Sequence, residues 1–209
     1  SVSSGASAAS SAPTFKGLSP QSPSQLELDE EIVVLSCPPS LSDLKCNATL
    51  RYIVANPTNS DAETTATFDS PVPFNIKING LPQPDSSTIH LSVPAGQKLR
   101  VELLYAITFP RHDPDLPPET SPLATRHPYL NTEAQKRSPR PILFNWAENW
   151  HAVNKRDFDV KYPSGWRLYG SRWTAQGPVR QGVVTENLSS STDPVDFDLR
   201  PVPLSLPLP

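Results

Sequence analysis

The sequence predicts an all-β protein in which antiparallel strands pack as a sandwich, and three observations carry that prediction. From Leu26 onward apolar residues recur at every second position, which sends alternate side chains to opposite faces of a sheet. The chain holds 26 prolines against 8 glycines, and proline removes a backbone donor and breaks helix interiors, which argues against a helical protein. The prolines arrive singly between apolar runs, as strand punctuation does, and divide the chain into about eight short strands.

At 209 residues there is enough chain for one large β domain with tails. Residues 1–24, rich in Ser, Ala and Pro, carry too little apolar surface to order themselves and are expected to be a disordered linker. A single domain is expected over 25–200, and 201–209, where Pro alternates with Leu and Val, reads as an extended tail. The chain contains no Met, so Ser1 is expected to follow a cleaved secretory signal or an excision point in a longer chain. No apolar stretch approaches the roughly 18 residues that span a bilayer, so membrane anchoring is expected only through segments outside this chain.

Within the domain, 26–35 alternates at first and then becomes the apolar run Ile32-Val33-Val34-Leu35. Ala48, Leu50, Tyr52 and Val54 alternate with Asn47, Thr49, Arg51 and Ile53, so the two segments read as neighbouring strands joined by a cysteine-bounded loop. The cluster Asn56-Pro57-Thr58-Asn59-Ser60-Asp61 ends the second of them. A Thr-rich strand over 63–68 follows, then one through Phe74, Ile76 and Ile78, after which Asn79-Gly80 suits a reversal needing positive φ. In the clearest pair, Ile89, Leu91 and Val93 are turned by Pro94-Ala95-Gly96 into Leu99, Val101, Leu103, Tyr105 and Ile107.

The period then vanishes, and 8 prolines between Phe109 and Pro141 predict an irregular Pro-rich loop over 109–141. Trp146 and Trp150 are expected on one face of a short helical turn that caps the sandwich. Phe158, Val160 and Tyr162 mark a strand, Pro163-Ser164-Gly165 a turn, 166–169 a further strand, and 195–199 a last one.

Cys37 and Cys46 flank a Pro-rich turn with neither Cys-x-x-Cys spacing nor a nearby His, so a structural disulfide is expected. Closing that loop stabilises the fold by about 2 to 3 kcal/mol through the unfolded chain. A disulfide persists in oxidising surroundings, so a secreted, periplasmic or cell-envelope location is expected. Where the chain runs Tyr52-Ile53-Val54-Ala55-Asn56-Pro57-Thr58, and again Val93-Pro94-Ala95-Gly96 before a long strand, it resembles immunoglobulin-like domains of exported bacterial proteins. The likeness spans 26–108 and implies an immunoglobulin-like sandwich and an extracytoplasmic location. Antibody-type recognition does not transfer, because the buried Trp and inter-sheet Cys pair of antibody domains are missing.

The second half is aromatic and basic. Between Arg126 and Arg180 there are 10 Lys or Arg against 4 Asp or Glu, a net +6, while the remainder carries 8 against 17, a net −9. All four tryptophans lie there. Flat rings stack on sugars and cations engage anions, so Trp146, Trp150, Trp166 and Trp173, with Arg167 and Arg172 beside them, are the candidate ligand-binding residues. The competing assignment puts these rings in the core, where large aromatics usually sit. With scattered basic residues and a pI near 5.8, nucleic acid is not an expected partner.

No nucleophile elbow, phosphate-cradling Gly loop, His-Glu-x-x-His helix or dinucleotide fingerprint occurs, so no catalytic residue, cofactor or metal is assigned. His112, Asp113 and Asp115 supply the raw material for a loop enzyme, and Asp193, Asp196 and Asp198 for calcium, yet a solvated surface suits both sets better. Asn47-Ala48-Thr49 and Asn187-Leu188-Ser189 are glycan acceptor tripeptides. The function these observations favour is a non-catalytic extracytoplasmic interaction module whose partner is a protein or a glycan. A hydrolase or metal-dependent enzyme built around His112 is the first alternative, and a structural spacer of a larger envelope protein the second.

Overall fold

The computed structural model describes residues 13–69, 71–111, 141–171, 183–187 and 192–202. Among them the chain is all β, with no helix. The strands are β1 (Thr14–Lys16), β2 (Ser19–Pro20), β3 (Glu27–Ser36), β4 (Leu44–Ala55), β5 (Ala62–Thr67), β6 (Phe74–Ile78) and β7 (Leu81–Pro82). They continue as β8 (Thr88–Val93), β9 (Lys98–Phe109), β10 (Ile142–Asn145), β11 (Arg156–Lys161), β12 (Trp166–Tyr169), β13 (Val183–Asn187) and β14 (Val195–Pro201).

These strands form open sheets and no barrel. A seven-stranded sheet runs β13-β11-β3-β4-β9-β6-β7, a four-stranded one β1-β10-β14-β12, and a three-stranded one β2-β5-β8. At the centre of the large sheet β4 pairs antiparallel with β9 along its whole length, from Leu44 opposite Phe109 to Ala55 opposite Lys98. Alternation becomes burial here: Leu44, Cys46, Ala48, Leu50, Tyr52 and Val54 are buried, while Lys45, Asn47 and Thr49 are exposed. The inner face of β9 answers with Leu99, Val101, Leu103, Tyr105, Ile107 and Phe109. Each such side chain withdrawn from water contributes about 1.5–3 kcal/mol.

The two smaller sheets cover that apolar face. Phe109 and Phe158 of the large sheet meet Phe197 of β14 with ring centroids 6.4 and 5.3 Å apart. Tyr105 packs edge-on against Phe15 of β1 at 4.9 Å and against Phe68, just after β5, at 6.4 Å. One continuous core of buried residues results.

The turns follow their local chemistry. Asn79 and Gly80 both have positive φ and set Ile78 opposite Leu81, a tight two-residue hairpin. The cluster after β4 is organised by the buried Asn56 amide, whose Nδ2 donates to the carbonyls of Ser60 and Val93 at 2.8 Å each and whose Oδ1 accepts from Thr58.

Several expectations need correction. The stretch from Thr14 to Pro20, read as part of a linker over 1–24, forms β1 and β2, with Phe15, Leu18 and Ser19 buried. Its single apolar anchors are too sparse for a periodic signal. Strand pairing is mixed: β1 lies parallel to β10, and β11 parallel to β3. Both parallel pairs join segments far apart in sequence, where no hairpin turn announces the neighbour. The helical turn at Trp146 and Trp150 is absent. Asn149 sits at φ 66°, and the Ala147 N–H turns inward to the Glu31 carboxylate instead of continuing a helix. Most of the Pro-rich stretch, residues 112–140, lies outside the described residues, as do 203–209 of the tail.

Gly17 lies where β1 gives way to β2, and a Cβ there would come within 2.6 Å of the Ala147 backbone nitrogen and against the Glu31 carboxylate. Gly17→Ala is expected to lower the unfolding free energy by about 1–3 kcal/mol, the cost of overpacking a filled site. Urea denaturation checks this, and an unchanged midpoint would mean that the N-terminal segment is not seated there.

Candidate functional site

The described tryptophans belong to the fold. Trp146 is only 5% exposed, packs edge-on to Phe144 and Phe158, and donates its indole N–H to the Asp193 carbonyl at 3.1 Å. Trp150 is half-buried against the core and donates to the Leu18 carbonyl at 2.7 Å. Trp166 is 4% exposed, beneath the Arg111 guanidinium. Arg167 is exposed on β12, while Arg172 and Trp173 lie outside the described residues. The expected aromatic face is therefore not presented by Trp146 or Trp166, because covering the end of a two-layer core consumed their rings.

The basic half is spent in a similar way at Arg156, the first residue of β11. Its Nε donates to Glu31 Oε1 at 3.1 Å, its Nη2 donates to the Ala147 carbonyl at 2.8 Å, and its guanidinium stands 5.7 Å from the Trp146 ring centroid. Glu31, on the inner side of β3, has no exposure to water. It also accepts from the Ala147 N–H at 3.0 Å and from the Tyr52 hydroxyl, and Tyr52 in turn accepts from the Leu18 N–H at 3.2 Å. Burial pushes the Glu31 carboxyl up to about 7, against the lowering pull of the Ala147 N–H and of Arg156. Burial, with Glu31 beside it, also holds the Tyr52 hydroxyl well above its ordinary range. This knot ties β3, β4, β11, the N-terminal segment and the strap after β10 (residues 146–155) together. It is closed to solvent, which gives it a structural role.

At the far end of the β4–β9 ladder the chain builds an accessible feature. Cys37 and Cys46 form a disulfide, as expected, and the Cys37 N–H donates to the Lys161 carbonyl of β11 at 2.9 Å. Arg111, where the chain leaves β9, holds the enclosed loop. Its backbone N–H donates to Asp43 Oδ1 at 3.0 Å, its Nε to the Ser42 carbonyl at 3.2 Å and its Nη2 to the Ser40 carbonyl at 2.8 Å. The guanidinium carbon lies 5.2 Å from the Trp166 ring centroid, so the cation is bonded on its edge and stacked on its face. At the tip, Leu41 is 100% exposed. It borders a cleft of about 320 Å³ lined by Pro39, Ser40, Arg111 and Ser164. Sequence reasoning treated this loop as a staple only. The available signal was Leu41 set between Ser40 and Ser42, out of step with any alternating run.

An open polar groove of about 360 Å³ lies on the outer side of the three-stranded sheet, lined by Gln21, Ser22, Glu63, Thr64, Thr65 and His90. The three acidic residues near β14 do not converge. Asp196 accepts from Ser171, Asp198 pairs with Arg200 at 2.7 Å, and the Asp193 carbonyl serves Trp146. Among the described residues no three His, Cys, Asp or Glu groups are placed to hold a metal ion. His112, Asp113 and Asp115 lie outside the described residues.

No protein-family model matches the chain, and no curated protein does. Among solved structures it is similar to a "putative nutrient binding protein" from Legionella pneumophila, at 9% identity and a TM-score of 0.53, over 90% of this chain and 71% of that one. At that identity the likeness is one of fold. An M1 zinc metallopeptidase from Deinococcus radiodurans aligns at 14% identity and a TM-score of 0.35, over 83% of this chain and 42% of that one.

Arg156→Leu is expected to destabilise the fold by about 3–5 kcal/mol at pH 8, where it strands a buried carboxylate. The loss is expected to be smaller at pH 5. The folded state holds the Glu31 proton more tightly than the unfolded chain, in which the ordinary value is 4.5. The stabilisation from that proton is therefore complete below pH 4.5 and is lost as the pH rises through 7. Denaturant titrations of both proteins at the two pH values check the difference, and equal losses would contradict it.

Proposed function

We propose that this chain is a non-catalytic, extracytoplasmic interaction module that engages a protein partner through the disulfide-closed loop carrying Leu41. The observation that carries the reading is a fully exposed Leu held in place by a disulfide, two prolines and the Arg111 clamp. A pre-ordered apolar anchor loses little conformational entropy on binding, which is what a contact hot spot needs. Loops on a rigid β scaffold are where binding residues concentrate. The disulfide agrees with an oxidising compartment. The binding role ascribed to the Legionella pneumophila protein of similar fold points the same way. Two layers of mostly antiparallel strands also support kinship with immunoglobulin-like sandwiches, with β1–β10 and β11–β3 as departures.

A protein partner is preferred over a glycan because sugar recognition leans on exposed ring faces, and Trp146 and Trp166 are buried. A photoreactive amino acid at position 41, introduced into the protein in its native cell, is expected to yield one discrete protein adduct that the same group at Lys77 does not. Leu41→Asp is expected to weaken that partner's binding about tenfold or more, since it forfeits the burial of one Leu side chain. No adduct from position 41, or the same adduct from both positions, would contradict the proposal.

A further inference from the structure

The three-stranded sheet ends on β8, and the hydrogen bonds show which of its backbone groups are committed. The Gln21 N–H donates to the Thr65 carbonyl, so Thr65 of β5 points toward β2. Residues 64, 66 and 68 then point toward β8, as the Phe68 N–H donating to the Ser87 carbonyl confirms. Since Thr64 pairs with Leu91 and Ala66 with Ile89, the bonds to β5 use Ile89 and Leu91. The backbone groups of Thr88, His90 and Ser92 face the opposite way, along an edge that no described strand covers. Of these, the Thr88 N–H has a local acceptor, Ser86 Oγ at 3.1 Å.

Proteins blunt such edges with Pro, Lys or inward charge, because an open ladder pairs with another strand. The outer strand β7 of the large sheet is blunted in this way: it is two residues long and ends on Pro82. β8 has none of these devices. Its sequence, Thr-Ile-His-Leu-Ser-Val, carries no Pro, Lys or carboxylate. The side chains of Ile89, Leu91 and Val93 are buried, and those of Thr88, His90 and Ser92 are exposed.

Five of these residues, Thr88 to Ser92, favour one particular partner. Read outward from His90, the strand is a chemical palindrome, with aliphatic Ile89 and Leu91 on either side and hydroxyl-bearing Thr88 and Ser92 beyond them. Two antiparallel copies related by a two-fold axis always pair residues equidistant from the axis. With the axis at His90, Thr88 meets Ser92 of the second copy, Ile89 meets Leu91, and His90 meets His90.

We propose that β8 is a self-recognition edge, through which two copies of this chain join their three-stranded sheets antiparallel about His90. The pairing forms about four backbone hydrogen bonds without disturbing the Ser86 cap, two between the His90 residues and one at each Thr88–Ser92 pair. Like-for-like cross-strand neighbours stabilise the register, hydroxyl with hydroxyl and aliphatic with aliphatic. The interface is short, so the dimer is weak and its population depends on protein concentration. This surface is separate from the Leu41 loop, and either proposal can fail without the other.

Sedimentation of the full chain from about 10 µM to about 1 mM, the span over which small interfaces dissociate, is expected to show a monomer converting to a dimer. Two variants locate the contact. Ser92→Pro removes an outward N–H that β5 does not use, a place where an edge strand tolerates proline. His90→Lys sets two like charges directly opposite each other. Both are expected to keep the monomer's circular dichroism and to raise the dimer dissociation constant at least tenfold. A single Cys at position 90 is expected to cross-link to itself through a short bismaleimide, with the native disulfide intact. A protein that stays monomeric throughout would overturn the proposal, as would a dimer that both variants leave unchanged.

Discussion

The twelve-residue pairing of β4 with β9 is the constraint on which the rest of the structure depends. Side chains alternate with a period of two, so a slip of one residue would carry Leu50, Tyr52, Val101 and Leu103 from the core to the water. The ladder also fixes what lies at its ends. At the Leu44–Phe109 end it brings the disulfide loop beside Arg111, and at the Ala55–Lys98 end it sets the Asn56 turn against Val93. The exposed Leu41 and the amide-organised turn are consequences of one register.

Closing the second layer over that ladder requires chemistry beyond apolar burial. The strap after β10 and the N-terminal segment lack the length to pair along whole strands, and the Glu31–Arg156 knot joins them to the large sheet instead. Taking both charges out of water is costly, and the cost is met only because Ala147, Tyr52 and the strap carbonyl occupy their remaining bonding positions. This explains why Trp146, which in sequence belongs to an aromatic cluster, is buried. Trp146 lies against the Arg156 guanidinium and satisfies the Asp193 carbonyl, and Trp150 satisfies the Leu18 carbonyl of the N-terminal segment.

Much of the fold was legible wherever one residue's neighbours decide its state. The alternation in β3, β4, β8, β9 and β11, the Asn79-Gly80 reversal and the Cys37–Cys46 bridge each rest on a local rule. What stayed hidden depends on distant partners. Thr14–Lys16 becomes a strand only because Ile142–Asn145 lies beside it, and Glu31 is buried only because Arg156 reaches it from a strand far along the chain. The burial of Trp146 and Trp166 stayed hidden for the same reason. Composition showed an excess of Trp and Arg but not which rings would be covered, while Leu41 carried no periodic signal at all.

Amide hydrogen exchange tests the central ladder most directly. The slowest-exchanging amides are expected in Leu44–Ala55 and Lys98–Phe109, with protection declining toward β7 and β8 at the sheet edges. Rapid exchange through those two strands, with the slowest amides elsewhere, would show that a different pairing holds the molecule together.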